Sequence, residues 1–281
     1  MHRSCGSSNW AGVWLEGNLA NVRVGCTGAG CSSAASRNVI SGNWVYGLSV
    51  VNQSSGVAEI KGNYIGTDWS GTLPLPNGRG GPAYCPNYCG GIAFAGGTAS
   101  MPATLLGGFG VGEANLIAFN AGPGISTTYD RLGENFDSRA NAVHHNRGVG
   151  RANIDLGVRG PTANDANDAD AGANLGQNFP QIISASQSGT TLTVTYVVDT
   201  ALANAAYPLR IDFYADVQGG SGEWLTQDFY PGGSAQTQRT VMLTVPDGIR
   251  AIPFVATATD ANGHTSELSP AFDVIFEDDF D

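Results

Sequence analysis

Charge is what this sequence has least of. Asp, Glu, Lys and Arg together make up 13% of its 281 residues, about half the usual share. No apolar stretch is long enough to cross a membrane, and no long run repeats with the 3.6-residue period of an amphipathic helix. Basic residues are the scarcer sign: 13 Lys and Arg stand against 24 Asp and Glu, for a net charge of −11. An acidic surface repels phosphate backbones, so nucleic acid is not an expected partner.

Glycine is abundant instead, with 40 residues, about twice its usual share, alongside plentiful Asn, Ser and Thr. That composition fits many short strands joined by tight turns. The length admits one large or two ordinary domains, each able to bury a core. Charge is uneven along the chain: residues 1–180 hold ten Lys/Arg against eleven Asp/Glu, and residues 181–281 hold three against thirteen. The acidity, including the closing Glu277-Asp278-Asp279-Phe280-Asp281, reads as an aid to solubility. Of five cysteines, Cys26/Cys31 and Cys85/Cys89 form close pairs with no histidine beside them, and Cys5 is left over. Such pairs suit loop staples formed in an oxidising compartment better than zinc ligation. The N-terminus, Met1-His2-Arg3-Ser4-Cys5, has no apolar signal segment, and the repeat described next begins almost at once. The chain is therefore expected to be a piece of a longer secreted or cell-surface protein, capped by residues 1–11 or self-associating through its first coil.

Self-similarity is the main signal. Asn38-Val39-Ile40-Ser41-Gly42-Asn43 recurs as Asn63-Tyr64-Ile65-Gly66-Thr67-Asp68, Asn115-Leu116-Ile117-Ala118-Phe119-Asn120 and Asn141-Ala142-Val143-His144-His145-Asn146, with starts 25, 52 and 26 residues apart. A second series is led by glycine: Gly12-Val13-Trp14-Leu15, Gly47-Leu48-Ser49-Val50, Gly91-Ile92-Ala93-Phe94 and Gly124-Ile125-Ser126-Thr127. A third is Val22-Arg23-Val24, Ala58-Glu59-Ile60 and Thr104-Leu105-Leu106. Three short alternating strands per coil of about 25 residues describe a parallel β-helix, whose coils stack at about 4.8 Å. Alternation sends Val13, Leu15, Leu48, Val50, Ile92, Phe94, Ile125 and Ile154 to the core. It sends Trp14, Glu16, Ser49, Val51, Ala93, Ala95, Ser126, Thr128 and Asp155 outward, a row poor in catalytic groups. Repeated Asn tolerates left-handed backbone, and its amides can satisfy one another from coil to coil.

Residues 37–43 and 62–68, with Leu75-Pro76-Asn77 following, resemble bacterial right-handed parallel β-helix repeat proteins of the pectate-lyase-like superfamily. The resemblance covers about residues 10–157 and implies the fold, whereas the function varies across that superfold. From Pro180 onward, Leu192/Val194/Tyr196/Val198, Leu209/Ile211/Phe213 and Val241/Leu243/Val245 alternate. About seven strands over a hundred residues fit an immunoglobulin-like β-sandwich, and residues 258–267 resemble the last strands of bacterial Ig-like modules. The expected fold is thus all-β: a right-handed parallel β-helix of about five coils over residues 1–159, an acidic junction over 160–180 and an Ig-like sandwich over 181–281.

In the junction, Asp165, Asp168, Asp170 and Asn174 place hard oxygen ligands on a short loop, which is calcium chemistry, although no Glu closes the loop as in an EF-hand. A solvated polar linker is the alternative. The segment also resembles the joint that follows β-helices in the same bacterial proteins. Residues 129–151 are the richest in titratable groups. There Asp130, Glu134 and Asp137 with Arg139 and His144 could supply acid, base and a clamp for a sugar carboxylate; local charge pairing on a solvated loop is the other reading. His144 and His145, adjacent on alternating strand faces, cannot both point outward, so one of them is expected at a core or turn position. The insertion 66–90 carries Trp69, Arg79, Tyr84 and Tyr88, and with Trp14 these are the expected sugar-contacting residues. The Asp-Asp and Arg-x-Lys signatures of polygalacturonases and a pectate lyase constellation are missing. Two functions follow as expectations. One is a polysaccharide hydrolase or lyase acting in the groove of the β-helix. The other is a non-catalytic secreted surface or adhesion module that binds polysaccharide or cell-surface glycan.

Overall fold

Strands of two to ten residues are too short to be stable alone, so this chain gains its stability by stacking them. A computed structural model describes residues 9–26, 31, 36–80, 89–97, 102–127, 131–148, 152–247 and 253–276. It is all-β, with parallel sheets and no α-helix among the described residues. Among the described residues, no helix is long and apolar enough to cross a membrane.

The chain passes through three parallel sheets in turn, one strand in each, four times, and then enters the first sheet once more. The first sheet contains β1 (Ala11–Asn18), β4 (Tyr46–Ser55), β7 (Gly90–Ala95), β10 (Ile125–Thr127) and β13 (Ile154–Asp155). The second contains β2 (Arg23–Gly25), β5 (Glu59–Lys61), β8 (Thr104–Gly107) and β11 (Phe136–Arg139). The third contains β3 (Val39–Ile40), β6 (Tyr64–Ile65), β9 (Leu116–Ala118) and β12 (Ala142–His144).

Register aligns like with like. Val13 pairs with Leu48, Leu48 with Ile92, Ile92 with Ile125 and Ile125 with Ile154. These columns join Ile60, Leu106, Ile65, Ile117, Phe136 and Val143 in one buried cluster, each such side chain contributing about 1.5–3 kcal/mol when removed from water. The glycine that leads the second series has a steric reason. A Cβ on Gly47 would lie 2.8 Å from the Gly91 carbonyl oxygen, and one on Gly91 would lie 2.4 Å from that of Gly124. Cys26 and Cys31 are disulfide-bonded with Cα atoms 4.8 Å apart. Cys89 is also disulfide-bonded, while Cys5 and Cys85 lie outside the described residues.

Asparagine forms two ladders, not one. In the first, Asn38 Nδ2 donates to Asn63 Oδ1, Asn63 to Asn115 and Asn115 to Asn141 at 2.9–3.0 Å. In the second, Asn43 donates to Asn77, Asn77 to Asn120, Asn120 to Asn146 and Asn146 to Asn153 at 2.9–3.1 Å. The repeat copy 63–68 ends in Asp68, and Asn77 takes its rung after an inserted loop. Asp68 instead organises that loop, accepting from Ser70 Oγ and from the amides of Thr72 and Leu73. Left-handed backbone does not fall on the rungs, as expected from the sequence, but on residues just before them: Gly42, Gly62, Phe119, Ala140 and His145.

From residue 181 onward, β14 (Gln181–Ser188), β15 (Thr191–Val197), β18 (Arg239–Thr244) and β20 (Ile275–Phe276) form a fourth sheet. β16 (Leu209–Asp216), β17 (Ser221–Tyr230) and β19 (Phe254–Thr259) instead extend the third sheet, through an antiparallel bridge between Val143 and Ser221. The alternating residues 192–198 and 209–213 are fully buried in a second core with Val241, Val245 and Phe254.

The chain beyond β13 also satisfies the last strand of each parallel sheet, whose outer edge would otherwise present unpaired backbone groups. On β11, Phe136 N donates to Asn174 Oδ1, Ser138 N donates to Thr265 Oγ1 and Ser138 O accepts from Arg210 Nη2. On β12, Val143 N donates to Ser221 Oγ. Beyond β13, Leu156 N donates to Glu267 Oε1.

One expectation about faces is corrected here. In the outward row Trp14 is 50% exposed and Val51 and Ala95 are half-buried, whereas Ser49, Ala93, Ser126 and Asp155 are buried; Thr128 lies outside the described residues. His145 lies in the turn just past β12, the position expected for one of the pair, and adopts φ 55°. That breaks the strand alternation and brings the two Nδ1 atoms 2.8 Å apart.

Candidate functional site

The turn that follows the third sheet builds the site. Its fifth repeat position is left-handed in three copies, occupied by Gly42, Phe119 and His145. Glycine accepts that backbone freely, whereas an aromatic or imidazole side chain there is strained, a feature that gathers at functional sites. The left-handed turn swings both rings to the outside of the second asparagine ladder. Phe119 and His145 meet tilted at 41° with ring centroids 5.2 Å apart, and Phe119 and His144 pack edge-to-face at 6.3 Å.

Around these rings lies a cavity of about 750 Å³, within the range of ligand pockets. Pro74 and Pro76 from the inserted loop, Arg79 after it, Phe119 and Ala121, His145 to Gly148 and Gln218 from the β16–β17 turn line it. Prolines and the phenyl ring make apolar walls, and two guanidiniums and an imidazole supply donors. Among the described residues, the guanidiniums of Arg79 and Arg147 have neither an ion pair nor a hydrogen-bond partner. No Asp or Glu is among the described residues that line the cavity. Burial, reinforced by the neighbouring His145, lowers the His144 pKa to about 4, so this imidazole stays neutral at the cavity's back.

The expected site residues are dispersed. Arg79 lines the cavity and His144 lies behind it. Trp14 projects from β1 with its Nε1 donating to Glu16 Oε2, and Trp69 is 80% exposed on the inserted loop. Glu134 is buried and accepts from Gly96 N at 2.8 Å. Asp137 sits in an ion-pair network with Arg139 and Arg210. Burial would raise its pKa, but the two guanidiniums hold it below the usual carboxylate value. These side chains are engaged in holding β11. Asp130, Tyr84 and Tyr88 lie outside the described residues. Phe119, His145 and Arg147 line the cavity but were not among the expected site residues. Aligning the repeat copies on their fifth position, where Gly42 and Thr67 give way to Phe119 and His145, is the signal that marks the first two.

At the junction, Asp165, Asp168 and Asp170 each offer a carboxylate oxygen within 4.8 Å of the others. Asp165 Oδ1 is buried and has no hydrogen-bond partner. Gly176 lets the loop close, since a Cβ there would meet Asp170 Oδ1 at 2.1 Å. Three hard oxygens with one orphaned atom among them suit calcium. Asn174 does not join them. Its Nδ2 donates to Phe136 O and Thr265 O, and its Oδ1 accepts from Phe136 N, so its amide is consumed in capping the second sheet.

Burial raises three carboxyls in this region: Asp155 to about 6, and Asp168 and Glu267 to about 7. The folded state therefore holds protons that the unfolded chain releases above its ordinary carboxyl values, and stability falls as pH rises through these values. His144 opposes them, since its depressed value costs stability as pH falls from 6.5 towards 4; three groups outweigh one. The lowered carboxyls Asp137, Asp228 and Asp260 lose their contribution only in more acid solution, below their ordinary 3.8. The thermal midpoint is expected to be several degrees higher at pH 5 than at pH 8. A flat or inverted profile in differential scanning calorimetry would refute this ordering.

No family model matches the chain and no curated protein does so either, so the reading of its function rests on this geometry.

Proposed function

We propose that the chain is a secreted or cell-surface glycan-binding module. In this reading the three parallel sheets are a right-handed parallel β-helix of the pectate-lyase-like kind, residues 181–281 are an Ig-like module, and calcium at Asp165, Asp168 and Asp170 stiffens the joint between them. The observation that carries the reading is the cavity, with apolar walls suited to the C–H faces of a sugar ring and polar donors at its rim. Hydrolysis by inversion needs two carboxylates about 6.5–9.5 Å apart around the scissile bond. The described residues of the lining offer none, and Glu134 and Asp137 are engaged elsewhere. Binding is therefore favoured over the hydrolase reading. The Cys26–Cys31 disulfide fits an oxidising compartment.

A glycan array probed with the full chain tests this. Wild type should retain a defined set of glycans, and Phe119→Ala should lose about tenfold in affinity for them through the missing ring face. Retention of no glycan would overturn the proposal. Reducing ends or unsaturated products appearing in the same incubations would replace binding with hydrolysis or elimination. For the joint, calcium should raise the thermal midpoint more at pH 8 than at pH 5, since it must displace the Asp168 proton. Equal midpoints with calcium and with chelator at pH 8 would remove calcium from the account.

A further inference from the structure

We infer that the cavity selects acidic saccharides, those bearing a carboxylate or a sulfate ester, an inference that rests on the glycan-binding reading and narrows its ligand. The chain carries 24 acidic residues against 13 basic ones, so carboxylate partners are plentiful. Among the described residues, Arg23, Lys61, Arg139, Arg210 and Arg239 are ion-paired, Arg37 stacks on the Tyr64 ring at 3.8 Å, and Arg159 acts electrostatically on the buried Asp155 carboxyl. Arg79 and Arg147, 68 positions apart in sequence, are brought to one cavity by the stacking of coils and stay unpaired there.

Two guanidiniums with no carboxylate in the lining repel a metal cation and exceed what a neutral sugar needs. They match an oxyanion, which a planar guanidinium grips with two parallel hydrogen bonds. The apolar remainder of the lining, Phe119 with Pro74 and Pro76, suits the ring that carries the acid group. A small free anion would leave that surface and most of the 750 Å³ unused. The anion-binding groups lie on the rim of the turns, away from the outward row of the first sheet, whose Ser49, Ala93, Ser126 and Asp155 are buried.

Titration calorimetry on the full chain tests this with three oligosaccharides of equal length: one neutral, one built of uronic acids and one O-sulfated. Binding of either acidic ligand at least tenfold tighter than the neutral one is expected, weakening as salt rises. The two acidic arms distinguish carboxylate from sulfate as the recognised group. Arg79→Gln and Arg147→Gln should each lower that affinity about tenfold. Both residues are exposed and unpartnered, so the thermal midpoint should stay that of wild type, and the double variant should bind acidic and neutral ligands alike. Equal affinity for neutral and acidic ligands, unchanged in the variants, overturns acid selectivity and leaves glycan binding standing. Inorganic sulfate competing at the same concentration as the sulfated oligosaccharide overturns the saccharide part. Binding by none of the three overturns the underlying reading as well.

Discussion

Asn115→Leu is expected to destabilise the protein by about 3–4 kcal/mol, by leaving several buried polar groups unsatisfied at about 1–3 kcal/mol each. Asn115 is 1% exposed and sits in the middle of the first ladder. Its Oδ1 accepts from both the backbone amide and the Nδ2 of Asn63. Its Nδ2 donates to Ile60 O at 2.7 Å and to Asn141 Oδ1 at 2.9 Å. Leucine keeps the volume and removes every one of these bonds, so the loss measures hydrogen bonding and not a cavity. Asn38, exposed at the open end of the same ladder, is the control, and Asn38→Leu should cost under about 1 kcal/mol. Urea unfolding that gives similar losses for the two variants would refute the ladder as a source of stability.

Arg210→Met should cost about 3–5 kcal/mol, the usual loss when one member of a buried ion pair is removed. Arg210 reaches from β16 to β11, with Nε 2.7 Å from Asp212 and Nη2 2.9 Å from Asp137. Nη2 also donates to Ser138 O at 2.8 Å and to Thr259 Oγ1 at 3.1 Å. Asp212 is wholly buried, and burial pushes its carboxyl above the usual range even beside Arg210 and the Trp224 indole N–H. Without Arg210, Asp212 is a buried carboxylate with a single donor. Arg210→Met/Asp212→Leu should recover much of the loss, because an apolar pair of similar volume carries no desolvation debt. A single variant within about 1 kcal/mol of wild type, or a double variant worse than the single, would contradict this role.

Much of the parallel half was legible in the sequence because its interactions repeat. The Asn-aliphatic motif recurs at nearly fixed spacing, and the apolar columns Val13–Leu48–Ile92–Ile125–Ile154 follow from period-two alternation. Legibility ended where an interaction occurs once. Asn77 takes a rung from inside an insertion, and Asp137 is paired by an arginine 73 positions away. Asn174 looked like a calcium ligand because local composition cannot reveal that its amide caps β11, 38 positions back. The cavity was hidden for the same reason, since its lining comes from four separated segments. Charge-rich residues 129–151 drew attention as a site. The fold spends Glu134, Asp137 and Arg139 on structure and leaves Arg147 to face the cavity.

The glycan site is tested most directly by the side-chain Nε–Hε resonances of the arginines, followed by NMR on the intact chain during titration with an acidic oligosaccharide. Saturable shifts at Arg79 and Arg147, with Arg210 and Arg239 unmoved in their ion pairs, are predicted. Saturable binding that leaves Arg79 and Arg147 unshifted and instead moves the indole resonances of Trp14 or Trp69 would place the glycan elsewhere and contradict the account.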